Sequence, residues 1–157
     1  MTWQRLAMAD LPVPQSTDSF ILRPLAPEHN ERDHAAWMSS IEHIRATPGF
    51  GDGTWGPDPW PFEMTSDQNL GDLVMHWDEF IAGDAFAYTV LDPTTDDVIG
   101  CVYIDPDITD EADAQVRSWV RSSSAALDSA LVHAVDDWLR SAWPFDSVRW
   151  PGRIISR

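Results

Sequence analysis

One seven-residue run sets the layering of any fold this chain can adopt. Val98-Ile-Gly-Cys-Val-Tyr-Ile104 carries no charged or amide side chain at odd or even positions, so a strand built from it has no face for water. Such a strand must lie inside a sheet that is covered on both sides. In a chain of 157 residues that cover comes from helices, which makes the fold class α/β. A mass of 17.7 kDa with 43% hydrophobic residues suits one domain with a single core.

The remaining elements follow from spacing. Phe20 to Leu25 is β-prone and closed by Pro24 and Pro27, which suits an edge strand. Trp37, Ile41 and Ile44 recur at helical spacing and predict a first helix from Glu28 to Ala46, stopped by Pro48-Gly49. The Gly-, Pro- and Trp-rich stretch from Pro48 to Phe62 reads as a long loop. Thr65 and Gln68 form a capping box, after which Leu70, Leu73, Val74, Trp77, Phe80 and Ile81 trace one helical face as far as Gly83. Ala85–Leu91 and Val98–Ile104 flank the turn composition Asp-Pro-Thr-Thr-Asp-Asp and predict an antiparallel hairpin. Ala114 to Val120 alternates as a fourth strand. A helix from about Ser124 to Trp143 buries Leu127, Leu131, Ala134, Val135 and Trp138, and Ser147 to Trp150 is a short fifth strand. The organisation is an N-terminal extension (1–19), one domain (20–150) and a tail (151–157), with no internal repeat.

Charge is distributed unevenly. The formal net charge is −16, all ten basic residues are Arg, and none falls between Ala46 and Val116, where sixteen of the 26 acids lie. The balance argues against nucleic acid as a partner, because duplex phosphates demand a basic surface. It draws a cationic ligand to the middle of the chain, although Asp-rich composition also serves simply as a solvated face. No apolar run approaches the roughly 20 residues that span a bilayer, the N-terminus lacks a signal-type run, and Cys101 stands alone; the expectation is a cytoplasmic chain without membrane association.

In element order, and in the phrasing of Ser118-Trp-Val-Arg121 running through a short loop into Leu127-Asp-Ser-Ala-Leu131, the chain from about Phe20 to Trp150 resembles the GNAT family of N-acetyltransferases. The resemblance implies a GNAT-like mixed, mostly antiparallel sheet flanked by helices. It implies acetyl-CoA as co-substrate, its pantetheine arm held by the fourth strand where that strand splays from the fifth, and its diphosphate held by the following loop and helix N-terminus. Those positions here are Trp119 and Val120, then Arg121, Ser122, Ser123, Ser124, Ala125 and Ala126. The family loop usually has Gly where this chain has Ser124, and aligning instead on the helix body puts Asp128 in the first turn, where a carboxylate repels phosphate. The family's later helix and last two strands, with the Tyr that protonates the departing thiolate, have no counterpart in this sequence. The open edge at Val148 to Trp150 accordingly predicts a homodimer.

Acyl transfer requires a deprotonated amine and a base near the fourth strand; Asp113, Gln115 and Tyr103 are the polar groups placed there, with Asp113 and Tyr103 taken as the catalytic pair. The first helix and the loop build the acceptor pocket in this family. Trp55, Trp60 and Trp77 beside Asp52, Asp58 and Asp78 could make a cage for an ammonium group, although the plainer reading is that Trp77 belongs to the core and the loop tryptophans lid it. Asp105 to Asp113 has the acid density of a calcium loop but not the EF-hand spacing, and the histidines lack zinc spacing, so no metal is expected. His133 reads as a surface residue and Cys101 as a small buried hydrophobe. These features predict a GNAT-like N-acyltransferase acting on a small cationic amine. The alternative is a catalytically inactive GNAT-fold module that binds a cationic ligand or basic protein.

Overall fold

A computed structural model describes residues 3–14, 16–53 and 59–157. Five strands form one sheet in sequential order: β1 (Ile21–Pro24), β2 (Phe86–Leu91), β3 (Val98–Pro106), β4 (Ala114–Val120) and β5 (Val148–Arg149). Pairing is antiparallel except between β4 and β5, which run parallel and are joined only at Ala114↔Val148 and Gln115↔Arg149. Pro24 sits on edge strand β1, where its missing N–H breaks no inner ladder. The β2–β3 turn is closed by Asp92, whose carboxylate accepts the amides of Thr94 and Thr95 at 2.8 and 3.1 Å.

The run without a polar face is the central strand β3, covered on both sides. Val102 and Ile104 join one core with Val116 and with Leu131, Val135 and Trp138 of α4 (Asp128–Ala142); Cys101 and Tyr103 join the opposite core with Leu25, Trp37, Phe50, Leu73 and Trp119. α3 (Ser66–Ala82) follows the sequence pattern at both ends. Gln68 N–H donates to the Thr65 hydroxyl at 3.1 Å and the Gln68 side chain accepts the Thr65 amide at 2.9 Å, while Gly83 takes the left-handed cap at φ 77°. Leu73 and Phe80 are buried, whereas Leu70, Val74 and Ile81 of the expected apolar face are exposed.

Two helices differ from the sequence expectation. The span 28–46 is broken into a 3-10 turn (Pro27–His29), α1 (Asn30–Met38) and α2 (Ile41–Arg45). The Ser39 hydroxyl donates to the Ala36 carbonyl at 2.8 Å, and Ser40 leaves the helix at φ −135°. Serine hydroxyls compete with helix bonding in this way. The break delivers the Ser40 hydroxyl to the Ser122 N–H, 2.9 Å away at the end of β4. α4 begins at Asp128 and ends at Ala142, four residues later than expected at its start, because 122–127 winds as 3-10 turns with Ser124 off helical angles. No described helix is long and apolar enough to cross a membrane.

Candidate functional site

Between α1, α3 and the sheet lies a cavity of about 470 Å³. Its floor is Tyr103 and Asp105 of β3 and Arg117 of β4, which stands directly across the ladder from Tyr103. α3 lends one polar face: Asn69, Asp72, His76 and Glu79 recur at helical spacing and all line the cavity. α1 contributes Asp33, and Trp60 and Phe62 close the side nearest the long loop. Four carboxylates therefore surround one Arg and one His.

The walls are braced by aromatic contacts. Trp60 meets Trp37, Phe50 and Trp119 at centroid distances of 5.3, 5.8 and 6.1 Å. The Arg117 guanidinium lies 4.9 Å from the ring centroids of both Phe50 and Tyr103, so a cation–π contact fixes it against the floor. The Tyr103 hydroxyl accepts the Trp119 indole N–H at 3.1 Å, and His76 packs against the Tyr103 ring at 5.6 Å. Burial raises the Tyr103 phenol well above its ordinary range.

Asp33 is the buried acid of the site, 4% exposed. Asn69 donates to its Oδ2 at 3.0 Å, and Asn69 is held in turn by Trp37, whose indole N–H donates to Asn69 Oδ1 at 3.1 Å. Burial pushes the Asp33 carboxyl up to about 6, outweighing the Asn69 hydrogen bond and the pull of His76 and His34. His34 is itself fixed, its Nε2–H donating to the Met64 carbonyl at 2.7 Å. No group of three His, Cys, Asp or Glu with metal-holding geometry exists among the described residues.

The residues expected from sequence are distributed unevenly around this cavity. Trp60 and Tyr103 line it. Trp77 and Asp78 follow His76 on α3 and are therefore rotated off its polar face: Trp77 stacks on Phe80 at 6.1 Å and Asp78 is exposed. Trp55 and Asp58 lie outside the described residues. Asp113 stands just before β4, away from the cavity lining, where its Oδ2 accepts the amides of Asp146 and Ser147 at 2.8 and 3.4 Å and ties the start of β4 to the segment leading into β5. Gln115 accepts the Ile108 amide and the Arg149 guanidinium, both at 3.0 Å, and so anchors the acidic loop. Asp33, Asp72, His76, Glu79, Asp105 and Arg117 were not foreseen. The spacing of Asn69, Asp72, His76 and Glu79 was the available signal, eclipsed by the apolar face on the same helix.

The end of β4 forms a second region. Trp119 and Val120 are buried, Ser122, Ser123, Ala125 and Ala126 are exposed, and Arg121 reaches back to the Val98 carbonyl at 3.4 Å. The Ser122 N–H is taken by Ser40, and the Ser124 N–H by the Arg121 carbonyl at 2.9 Å. Asp128, in the first turn of α4, is paired with Arg153 at 2.8 and 2.9 Å.

No family model matches the sequence, and no curated protein matches it. Among solved structures, the chain is similar to RimL, the ribosomal L7/L12 alpha-N-protein acetyltransferase in complex with coenzyme A, at 12% identity and a TM-score of 0.61 over 82% of this chain and 67% of that one. It is similar to the ribosomal-protein-S5-alanine acetyltransferase of Vibrio fischeri at 17% identity and TM-score 0.60, over 82% of this chain and 67% of that one. It is also similar to the microcin C7 self-immunity acetyltransferase MccE in complex with acetyl-CoA and AMP, at 12% identity and TM-score 0.62, over 83% and 67%. The chain thus has the GNAT N-acetyltransferase fold, and it spans about two thirds of the length of these proteins.

That fold implies an acyl-CoA groove along the splayed part of β4. The residues present do not fit the cofactor in this arrangement: the Ser118 carbonyl accepts Arg153 at 3.4 Å, the Ser122 N–H is committed to Ser40, and a carboxylate stands in the first turn of α4.

Proposed function

We propose that this chain is an N-acyltransferase-type protein whose acceptor is a small cationic amine bound in the acidic cavity. The observation that carries the acceptor class is the cavity's lining, in which Asp33, Asp72, Glu79 and Asp105 converge on about 470 Å³ bounded by Trp60, Phe62 and Tyr103. An ammonium group there gains Coulomb attraction from buried Asp33 and from the part-exposed carboxylates of Asp72, Glu79 and Asp105, and cation–π contact with the rings. An anionic ligand meets the opposite field, with Arg117 the single arginine against four acids. The similarity in fold to N-acetyltransferases supports acyl transfer as the reaction class.

The chain's own groups divide the work. Asp33 and Asp72 draw the ammonium inward, and the aromatic wall excludes water from it. Arg117, stacked on Tyr103, keeps the floor rigid. Asp33 is ionised above about pH 6, so it pairs with a protonated amine near neutrality and releases it as the solution is acidified through that value.

Calorimetry with agmatine, cadaverine and spermidine, against neutral alcohols of the same length, tests the acceptor class. Cations should bind and the alcohols should not, and the double variant Asp72→Asn/Asp105→Asn should weaken the cations by about tenfold or more, roughly 1.4 kcal/mol. Equal binding of alcohols and amines, or amine binding that ignores the double variant, overturns it. Transfer is then read with radiolabelled acetyl-CoA and the amine that binds best.

A further inference from the structure

We propose that residues 150–157 are a strap that closes the acyl-CoA groove of this fold and must be released before cofactor enters. The inference rests on the acyltransferase reading above and goes beyond it, because it concerns what lies in the groove rather than what the acceptor is. Three independent observations carry it.

First, β4 and β5 separate after Gln115↔Arg149, so residues 116–120 of β4 have no neighbour from β5. Trp119 and Val120 are buried in the two cores on either face of the sheet, but Ser118, which belongs to neither core, is also fully buried beside the open splay. Pro151, just beyond β5, is itself buried. Its carbonyl lies only 3.6 Å from where a side chain on Gly49 would begin, and the same point is 3.2 Å from the Arg117 Cβ, so the groove is closed between strap, loop and strand.

Second, Arg153 occupies both halves of the groove at once. Its Nη2 donates to the Ser118 carbonyl, a β4 backbone acceptor, and its guanidinium grips both oxygens of Asp128 at the start of α4. A diphosphate at that helix terminus would have to displace the pair, and the first-turn carboxylate would then oppose it unless Arg153 stayed to neutralise both.

Third, the strap is fastened again at its far end. Arg157 forks onto Asp136 at 2.9 and 3.0 Å, and Asp136 also accepts the Trp150 indole N–H at 3.1 Å. Asp136 is 1% exposed, and the hydrogen bonds from Arg157, Trp150 and Arg140 hold its carboxyl below the ordinary range against the effect of burial. Two arginines on two carboxylates make the closure dependent on ionic strength.

The test is acetyl-CoA binding by calorimetry in the full chain, in Asp128→Asn and in the double variant Arg153→Ala/Asp128→Asn, which frees the strap without leaving an unpaired carboxylate at the helix start, with hydrogen exchange of the 153–157 amides read alongside. Wild type should bind weakly. Both variants should bind at least tenfold more tightly, and in wild type saturating CoA should speed exchange in the strap. Equal affinity in all three proteins, or absence of binding in all three at millimolar ligand, overturns the proposal. Amine binding measured on the same samples keeps the two readings apart: the acceptor cavity lies on the α1/α3 side of the sheet, and its failure would show as lost amine affinity with the CoA results unchanged.

Discussion

Replacing Asp33 by Asn should make the protein more stable and poorer at holding a cation. The carboxyl titrates at about 6 in the fold against an ordinary value of 3.8, the rise being due to burial first. The folded state therefore holds this proton more tightly than the unfolded chain. Stability associated with Asp33 is highest at acid pH, falls as pH rises from about 4 to about 6, and stays low above that window. At about 1.4 kcal/mol per pH unit, the gap amounts to ~3 kcal/mol at neutral pH. An Asn side chain keeps an oxygen for the Asn69 amide at nearly the same volume, so Asp33→Asn should recover most of that energy. For a chain of this size, 2–4 °C per kcal/mol converts it to a rise in Tm of roughly 6–12 °C at neutral pH, with little change near pH 4. Differential scanning calorimetry across the acid range reads the difference between wild type and variant, which isolates this one group. A variant with the wild-type Tm or lower at neutral pH, and an unchanged slope between about pH 4 and 6, refutes the reasoning. A stability gain coupled to a loss of agmatine affinity is the signature of an acid kept buried for binding rather than for folding.

Two further outcomes follow from the same geometry. Gly100→Ala would drive a Cβ into the Trp119 carbonyl oxygen, forcing β3 from β4 opposite Val120; the expected loss exceeds about 3 kcal/mol by urea unfolding, with Gly71→Ala, which meets nothing within 4 Å, as the control. Asp107 behaves oppositely to Asp33: burial works against it, but hydrogen bonds from Arg149, Thr109 and Ala112 hold its carboxyl at about 2. Its contribution is present above the ordinary 3.8 and lost as pH falls through about 2, so Asp107→Asn should remove ~2 kcal/mol at neutral pH and flatten the acid limb of the stability curve.

What was legible in the sequence was what is local. The capping box at Thr65, the left-handed stop at Gly83, the Asp92 turn and the doubly buried β3 each follow from residues within a few positions of one another, and β4 falls where alternation places it. The break at Ser39-Ser40 was not legible, because its stabilising partner is the Ser122 amide, 82 positions away. The late start of α4 has the same character: Leu127 begins the apolar stripe, but Asp128, paired with Arg153, begins the helix. The cavity was hidden for another reason. Apolar and polar faces coexist on α3, and periodicity alone does not say that the polar face turns inward; only the positions of Asp33 and Tyr103 do.

The uneven charge acquires meaning once the pairings are known. Arginines of the C-terminal flank are matched to acids, Arg149 to Asp107, Arg153 to Asp128 and Arg157 to Asp136, at 2.7 to 2.9 Å. Several acids of the arginine-free interval are committed to backbone: Asp92 and Asp107 close their own turns by accepting amides, and Asp113 accepts an amide of the segment before β5. Asp72, Glu79 and Asp105 instead face the cavity, together with Asp33 from before the interval. Arg117, the first basic residue after the interval, stands at the same cavity with its guanidinium stacked on Tyr103 and Phe50. Other acids of the interval, Asp67, Asp78, Asp96, Asp97, Asp110 and Glu111 among them, are exposed and form a solvated face, while the four cavity acids focus part of the negative potential on one walled volume. The strap is fastened by two pairs that each shelter one partner, Arg153 and Asp136, while Asp128 and Arg157 are more open, so its Arg157 end is the part that salt reaches most easily. Raising ionic strength should therefore loosen the Arg157 end of the strap and weaken the pull of part-exposed Glu79 together, while an amine held at buried Asp33 is affected least.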